Sequence, residues 1–163
     1  MSLQHELGMP NPITRPGHEA ALSVVLTGNL LVKEADRIVR RFRVTDSQFN
    51  VLMLLKYQSN GGKMSQTGLG EMLVVNRSNV TGLVDRMEQA GWVKRMPDAE
   101  DRRVKQVQIT AAGLQVVERA EKAYFARIRD VMSSLSAEES ARLCRLLERV
   151  RAAVRETDQA NRA

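Results

Sequence analysis

The chain has 163 residues, a formal charge of +6 and 43% hydrophobic residues, with only 4% aromatic. That length suits one domain with a mainly aliphatic core, and the apolar content excludes a disordered chain. No run of about twenty apolar residues is present, so no membrane span is expected, while the positive balance suits a polyanionic partner without proving one.

Residues 1–17 carry Gly8, Pro10, Pro12, Pro16 and Gly17 and read as a mobile tail. They lack a basic start followed by an apolar block, so no secretory leader is expected and a cytoplasmic location follows by default. From His18 to about Arg41 the apolar positions Leu22, Val25, Leu26, Leu30 and Ile38 predict a long helix. Thr45-Asp46-Ser47-Gln48 has the form of a capping box and opens a helix whose core is Phe49, Leu52, Met53 and Leu55. Asn60-Gly61-Gly62 is a loop.

The stretch 65–110 is the most patterned part of the chain. Ser65 caps a short helix with Leu69, Met72 and Leu73 inward, and Val74-Val75 turns the chain. Asn76 then suits the N-cap of a longer helix. In it Val80, Leu83, Val84 and Met87 form one apolar stripe at i, i+3, i+4 and i+7. Ser78, Thr81, Gly82 and Asp85 face away from that stripe, Arg77 and Arg86 flank it, and Gly91 is placed to end the helix. A short helix, a turn and a longer helix with a small polar N-terminal face is the helix-turn-helix plan, whose second helix reads the major groove. A hairpin follows: Trp92, Val93, Lys94 and Arg95 go out, Pro97-Asp98-Ala99-Glu100 turns, and Val104, Val107 and Ile109 alternate on the return. Its tip carries Asp101-Arg102-Arg103, and an Arg on a narrow ribbon suits the focused negative potential of a minor groove.

Thr110 caps a further helix to about Ser133 through Leu114, Val117, Tyr124 and Ile128. Ser136-Ala137-Glu138-Glu139 is a second capping box, and Leu143, Leu146, Leu147, Val150 and Val154 line the last helix. The central unit is too small to bury all the apolar surface of the terminal helices, and pairing them between two chains would bury it.

Several of these residues carry a family likeness. They are Leu69, Glu71, Leu73 and Val75, then Arg77-Ser78-Asn79-Val80-Thr81 and Leu83-Val84-Asp85-Arg86-Met87-Glu88. Gly91, Val93-Lys94-Arg95, Asp101-Arg102-Arg103 and Ile109-Thr110-Ala111-Ala112-Gly113 complete the set. The sequence resembles the multiple-antibiotic-resistance regulator (MarR) family of winged-helix transcription factors, more weakly from about His18 to the C-terminus. Two positions depart from the pattern: Val74 stands where such turns usually carry Gly, and Gly82 where the family often places a longer polar side chain.

The resemblance implies a mainly α fold, a winged helix-turn-helix flanked by N- and C-terminal dimerisation helices. The expected divisions are the tail 1–17, an N-terminal dimerisation helix 18–44, the DNA-binding region 45–110 and C-terminal dimerisation helices 111–163, forming one intertwined domain. The expected function is a homodimeric, ligand-responsive regulator of transcription, most simply a repressor that binds a near-palindromic operator in double-stranded DNA. Arg77, Ser78, Asn79 and Thr81 are expected to contact bases and phosphates in the major groove. Arg102 and Arg103 are expected to serve the wing, oriented by Asp101, while Lys94, Arg95 and Lys105 contact phosphates or supply field. In the family resembled, effectors are often aromatic acids or phenols bound between the dimerisation helices and the reading head. Here that cleft is expected between the long N-terminal helix, the Phe49–Leu55 helix and the start of the Thr110 helix, with Arg41 or Arg43 as carboxylate partners; no ligand residue is singled out.

Other constellations point elsewhere less well. Cys144, the single cysteine, is expected to be a small buried hydrophobe of the last helix. His5 and His18 have no cluster of further ligands, so no metal site or other cofactor is expected. Asp85 on the reading face is expected to pair with a nearby Arg, and the run Arg37, Arg40, Arg41, Arg43 reads as a solvated helix end. No Ser-His-Asp set, phosphate loop or paired catalytic carboxylates stands out, so an enzyme is not expected. The alternative from another class is a winged-helix module used only for protein–protein assembly, which the basic wing tip disfavours.

Overall fold

A computed structural model describes residues 3–59, 61–73, 77–98 and 104–160, with the side chains at 77, 78 and 158–160 excepted. The chain divides into two compact units, Met1–Tyr124 and Phe125–Ala163.

In the first unit, Leu3–Glu6 form one helical turn (α1) where only a tail is expected from the sequence. The long helix α2 runs Pro16–Val39, with Pro at its start, where the missing N–H costs nothing. It ends slightly earlier than its periodicity suggests, because Arg40–Phe42 tighten into a 3₁₀ turn. Arg43 then takes the left-handed conformation, φ 63°, which a side chain adopts only at some steric cost. Helix α3, Asp46–Tyr57, begins with the expected reciprocal box: the Thr45 side chain accepts from the Gln48 N–H, and the Gln48 side chain accepts from the Thr45 N–H. Strand β1 is Lys63–Ser65, α4 is Gln66–Leu73 and α5 is Arg77–Gln89. The residues expected to form the turn and cap between α4 and α5, Val74, Val75 and Asn76, lie outside the described residues.

Strands β2, Val93–Pro97, and β3, Lys105–Ile109, pair antiparallel, with Arg95 opposite Val107. The sequence alone suggests only this hairpin; the sheet has three strands in the order β1-β3-β2, since Met64 also pairs opposite Val107. Helix α6 runs Ala111–Met132 and α7 Ala137–Ala160. Ser136 and Glu139 make the second capping box, each side chain accepting from the other residue's N–H.

The core of the first unit gathers Phe49, Leu52 and Leu55 from α3, Leu69 from α4, and Val80, Val84 and Met87 from α5. Val93 and Val107 of the sheet and Val117 and Ala120 of α6 close it. Phe49 also meets Tyr124 in a tilted ring contact at 5.0 Å between centroids. Lys56 pairs with Glu121 at 2.7 Å, tying α3 to α6 outside this core. Of α2, only Ala35, Ile38 and Val39 are buried, whereas Val24, Val25, Leu30 and Val32 are exposed. In the second unit, α7 exposes Leu143, Leu146, Val150 and Val154. Cys144 is exposed on the same helix, contrary to its expected burial, and sits beside that uncovered stripe.

The junction from α5 to the sheet and from the sheet to α6 is the tightest point of the fold. Gly91, at φ 73°, ends α5 in the left-handed form, with its N–H donating to Glu88 O and the Trp92 N–H donating to Met87 O. The Thr110 N–H donates to Trp92 O, and the Thr110 hydroxyl donates to Gly91 O at 2.7 Å while accepting from the Gly113 N–H at 3.1 Å. Gly113 lies so close that a Cβ there would overlap the Trp92 carbonyl and crowd Ile109. Gly113→Ala is therefore expected to lower stability by about 1–3 kcal/mol through overpacking against backbone. Urea unfolding, read as a midpoint shift at unchanged slope, checks this.

Candidate nucleic-acid interface

Helix α5 presents three faces, and each has different neighbours. Val80, Leu83, Val84 and Met87 are buried and anchor it to the core. Asn79, Gly82, Leu83 and Arg86 turn toward α3 and line a cleft of about 510 Å³ with Asp46, Ser47, Asn50 and Leu73. Thr81, Asp85 and Glu88 turn toward β2. The 3.6-residue period produces this division: i, i+3, i+4 and i+7 share a side, and the remaining positions fall to either flank.

The flank toward β2 is held by Arg95. Its guanidinium donates to Glu88 at 2.6 Å, lies 2.5 Å from the Asp85 carboxylate, and donates to the Thr81 carbonyl at 3.3 Å. Its backbone N–H donates to the other Glu88 oxygen at 2.7 Å. That N–H, and then the guanidinium, hold the Glu88 carboxyl below the usual carboxylate range. Desolvation works against the charge on Arg95, but the hydrogen bonds with Glu88 and Asp85 outweigh it and its pKa is raised. Asp85 thus pairs with a nearby Arg, as its place on the helix suggests. Arg95, expected among the phosphate contacts, is instead turned onto α5.

Other expected reading residues stand as follows. Asn79 and Thr81 are exposed on α5, and Lys94 and Lys105 are exposed on β2 and β3. Helix α5 includes Arg77 and Ser78. Asp101, Arg102 and Arg103, the expected wing tip, lie outside the described residues. At the base of the hairpin, the Asp98 N–H donates to Val104 O and the Gln106 side chain donates to Asp98 at 2.7 Å. Gly82 is half-buried and faces the cleft, a correction to its expected place on the outward face; a Cβ there would make only ordinary contact with Arg86 at 3.5 Å.

A second cleft of about 430 Å³ shares Asp46, Ser47, Leu83 and Arg86 with the first and adds Val32, Lys33, Asp36 and Arg40. The walls of these two clefts come from α2 and the turn after it, α3 with its cap, the end of α4, and α5. The start of α6 lines neither of these two clefts, nor do Arg41 and Arg43. At their junction, the Asp46 N–H donates to Asp36, Asn50 donates to the Asp46 carboxylate at 3.0 Å, and Asp36 pairs with Arg40. Among the described residues, no group of three His, Cys, Asp or Glu is placed to hold a metal ion, and no helix is long and apolar enough to cross a membrane.

The sequence pattern of the MarR family matches residues 44–105, which run from just before α3 to the first residue of β3. The transcriptional regulator PecS of Dickeya dadantii is 32% identical over 123 residues, covering 75% of this chain and 74% of PecS. The chain belongs to the MarR family. Sco5413, a MarR family transcriptional regulator from Streptomyces coelicolor, superposes with a TM-score of 0.74 at 28% identity, over 86% of this chain and 96% of its own. The fold recurs in Sco3205 of the same organism, crystallised in complex with DNA, with a TM-score of 0.80 at 23% identity over 88% and 91% of the two chains. This is a winged helix-turn-helix protein of a family of transcriptional regulators, with α4 and α5 as the helix pair of that fold.

The acidic pair at the cleft sets a pH dependence. Desolvation, and then repulsion from Asp36, push the Asp46 carboxyl above its ordinary value, with the Asn50 hydrogen bond opposing. A carboxyl raised on folding costs stability where it is ionised and ceases to do so as pH falls below both its folded and unfolded values. Asp46→Asn is accordingly expected to raise the thermal midpoint at pH 7, with the gain vanishing near about pH 3, below the ordinary carboxylate range. A gain of equal size at both pH values would contradict this assignment.

Proposed function

We propose that this protein is a ligand-responsive transcriptional repressor that binds a near-palindromic operator as a homodimer and is released by a small aromatic anion. The observation that carries the DNA-reading part is the placement of α5. One face is locked in the core, while Asn79 on the α3 flank and Thr81 on the β2 flank stand exposed, and Lys94 and Lys105 of the ribbon are exposed as well. A helix presented in this way can enter a major groove while the ribbon meets the flanking backbone. The formal charge of +6 supports the same partner.

Homodimerisation is supported by apolar side chains that the single chain leaves uncovered: Val24, Val25, Leu30 and Val32 on α2, and Leu143, Leu146, Val150 and Val154 on α7. A second copy is the occupant that the family suggests. Two reading heads then meet half-sites about 34 Å apart, which makes the operator near-palindromic. In this reading Arg77, Ser78, Asn79 and Thr81 serve the major groove and Lys94 and Lys105 the phosphates. Arg103, with Arg102 and Asp101 beside it, enters the minor groove.

The effector reading rests on the paired clefts beside α5. Arg86 makes no ion pair among the described residues and lines both clefts, so a carboxylate or phenolate has a cation to meet there. The wall opposite it, Asp46 and Ser47, belongs to α3, so a ligand bridging the two biases the position of the recognition helix. Such a bias releases DNA only through unequal affinity for the bound and free arrangements, and DNA then weakens ligand binding by the same factor.

Genomic fragments selected by the purified protein test the DNA-reading part. The fragments retained are expected to share a near-palindromic site, and an assembly module would retain none. On that site Arg103→Ala should lose about 1–3 kcal/mol, whereas Lys105→Ala should weaken all duplexes alike and lower the salt slope by about one. Unchanged affinity in Arg103→Ala, with the fold intact, removes the wing from the reading. For the effector, salicylate titrated at constant ionic strength is expected to weaken operator binding in the wild type and much less in Arg86→Ala. No change at millimolar salicylate means that this ligand class is wrong.

A further inference from the structure

We propose that Arg95 is a positioning residue for DNA reading: it locks the recognition helix α5 to the wing strand β2, and Asp85 and Glu88 serve as its anchors on the helix. The inference rests on the DNA-reading role of α5 and assigns a role to the three charges on its flank.

Acidic side chains on a helix that faces a polyanion repel phosphate unless something nearby neutralises them. Asp85 and Glu88 are such residues, and among the described residues the group they meet is a single guanidinium. With one positive charge against two negative ones, the cluster is no attractant for DNA, so Arg95 adds little as a phosphate contact. Its geometry suits a clamp. The guanidinium spans Glu88, Asp85 and the Thr81 carbonyl, which lie along two turns of α5. Its side chain is only 21% exposed, which leaves little of it for a further partner.

The backbone takes part as well. Strand β2 is at the edge of the sheet, and the Arg95 N–H donates to Glu88 rather than into the ladder. Glu88 therefore receives both the backbone and the side chain of one residue, a two-point attachment that fixes direction as well as distance. Shifting α5 along or about its axis would break several of these charge-assisted bonds together. In this way the angle between the recognition helix and the ribbon is set before DNA arrives, and a duplex that fits both elements pays no ordering cost at that joint.

Measured affinities, in a salt series, for the duplex selected by the wild type and for a mixed-sequence duplex of equal length decide the role. The variants are Asp85→Asn, Glu88→Gln, Arg95→Ala and Arg95→Lys. Removing an acid near DNA tightens binding if only the field matters. A clamp predicts the opposite sign: Asp85→Asn and Glu88→Gln weaken binding to the selected duplex by about tenfold, the size of a lost charge-assisted bond, and do not weaken the mixed one. Arg95→Ala loses at least as much on the selected duplex at an unchanged salt slope, and Arg95→Lys, lacking the fork, restores little. The acid variants retain Arg95 and carry the test if Arg95→Ala does not fold. Tighter binding to both duplexes in the acid variants, or a salt slope lower by about one in Arg95→Ala, overturns the proposal and makes Arg95 a phosphate contact. If the wild type retains no duplex at all, it is the DNA-reading role that fails.

Discussion

The geometry of the reading head depends on one short stretch of backbone, Gly91-Trp92. The Trp92 N–H closes the end of α5 on Met87, and its carbonyl accepts the Thr110 N–H where β3 gives way to α6. Gly113 brings the first turn of α6 against that same carbonyl. Four elements are thus fixed at one point by main-chain groups, which have fewer alternatives than side chains. The requirements on sequence are correspondingly narrow: a glycine that can adopt positive φ at 91, a hydroxyl that can bond in both directions at 110, and no Cβ at 113. The Thr-x-x-Gly ending of the wing is therefore a packing device, and its stringency comes from sterics.

Upon that joint the charges divide their work. On one flank of α5, Arg95 gathers Asp85 and Glu88 and leaves no net positive charge there. On the other flank, Arg86 faces Asp46 across open space, and Asp36 is taken up by Arg40. The exposed lysines of the ribbon, Lys94 on β2 and Lys105 on β3, make no ion pair among the described residues. The proposed function asks α5 to be rigid toward the wing and responsive toward the cleft, and this asymmetry suits it: strong paired contacts on one side, and unfilled volume on the other. The Asp46 carboxyl, half-buried beside Asp36, is a modest destabilising element on the cleft side.

Local features were legible in the sequence because local rules produce them. The two capping boxes at Thr45 and Ser136, the Gly91 stop, the Val80–Met87 stripe and the hairpin register from Val104 to Ile109 all depend on neighbours within a few residues. What the sequence hid depends on distant partners. Strand β1 consists of three residues whose only strand signal is their pairing with Gln106, Val107 and Gln108. Gly82 and Thr81 look alike on a helical wheel, yet α3 approaches one side and β2 the other, and nothing in the helix itself says which. Arg95 carries the charge of a phosphate contact, and only the fold reveals that Asp85 and Glu88 reach it first. Cys144 was misplaced for a related reason: an apolar neighbourhood along a helix implies burial only when some surface covers it.

The proposed function makes α5 and the β2–β3 ribbon a single DNA-reading surface. Amide chemical-shift mapping of the intact protein, during titration with a duplex that it selects, tests this most directly. Shifts are expected to concentrate at Asn79 and Thr81 on α5 and at Lys94 and Lys105 on the ribbon, saturating together, with the exposed stripe of α7 from Leu143 to Val154 unmoved. Shifts confined to α7, or a ribbon that responds while the N-terminal half of α5 stays silent, would contradict it.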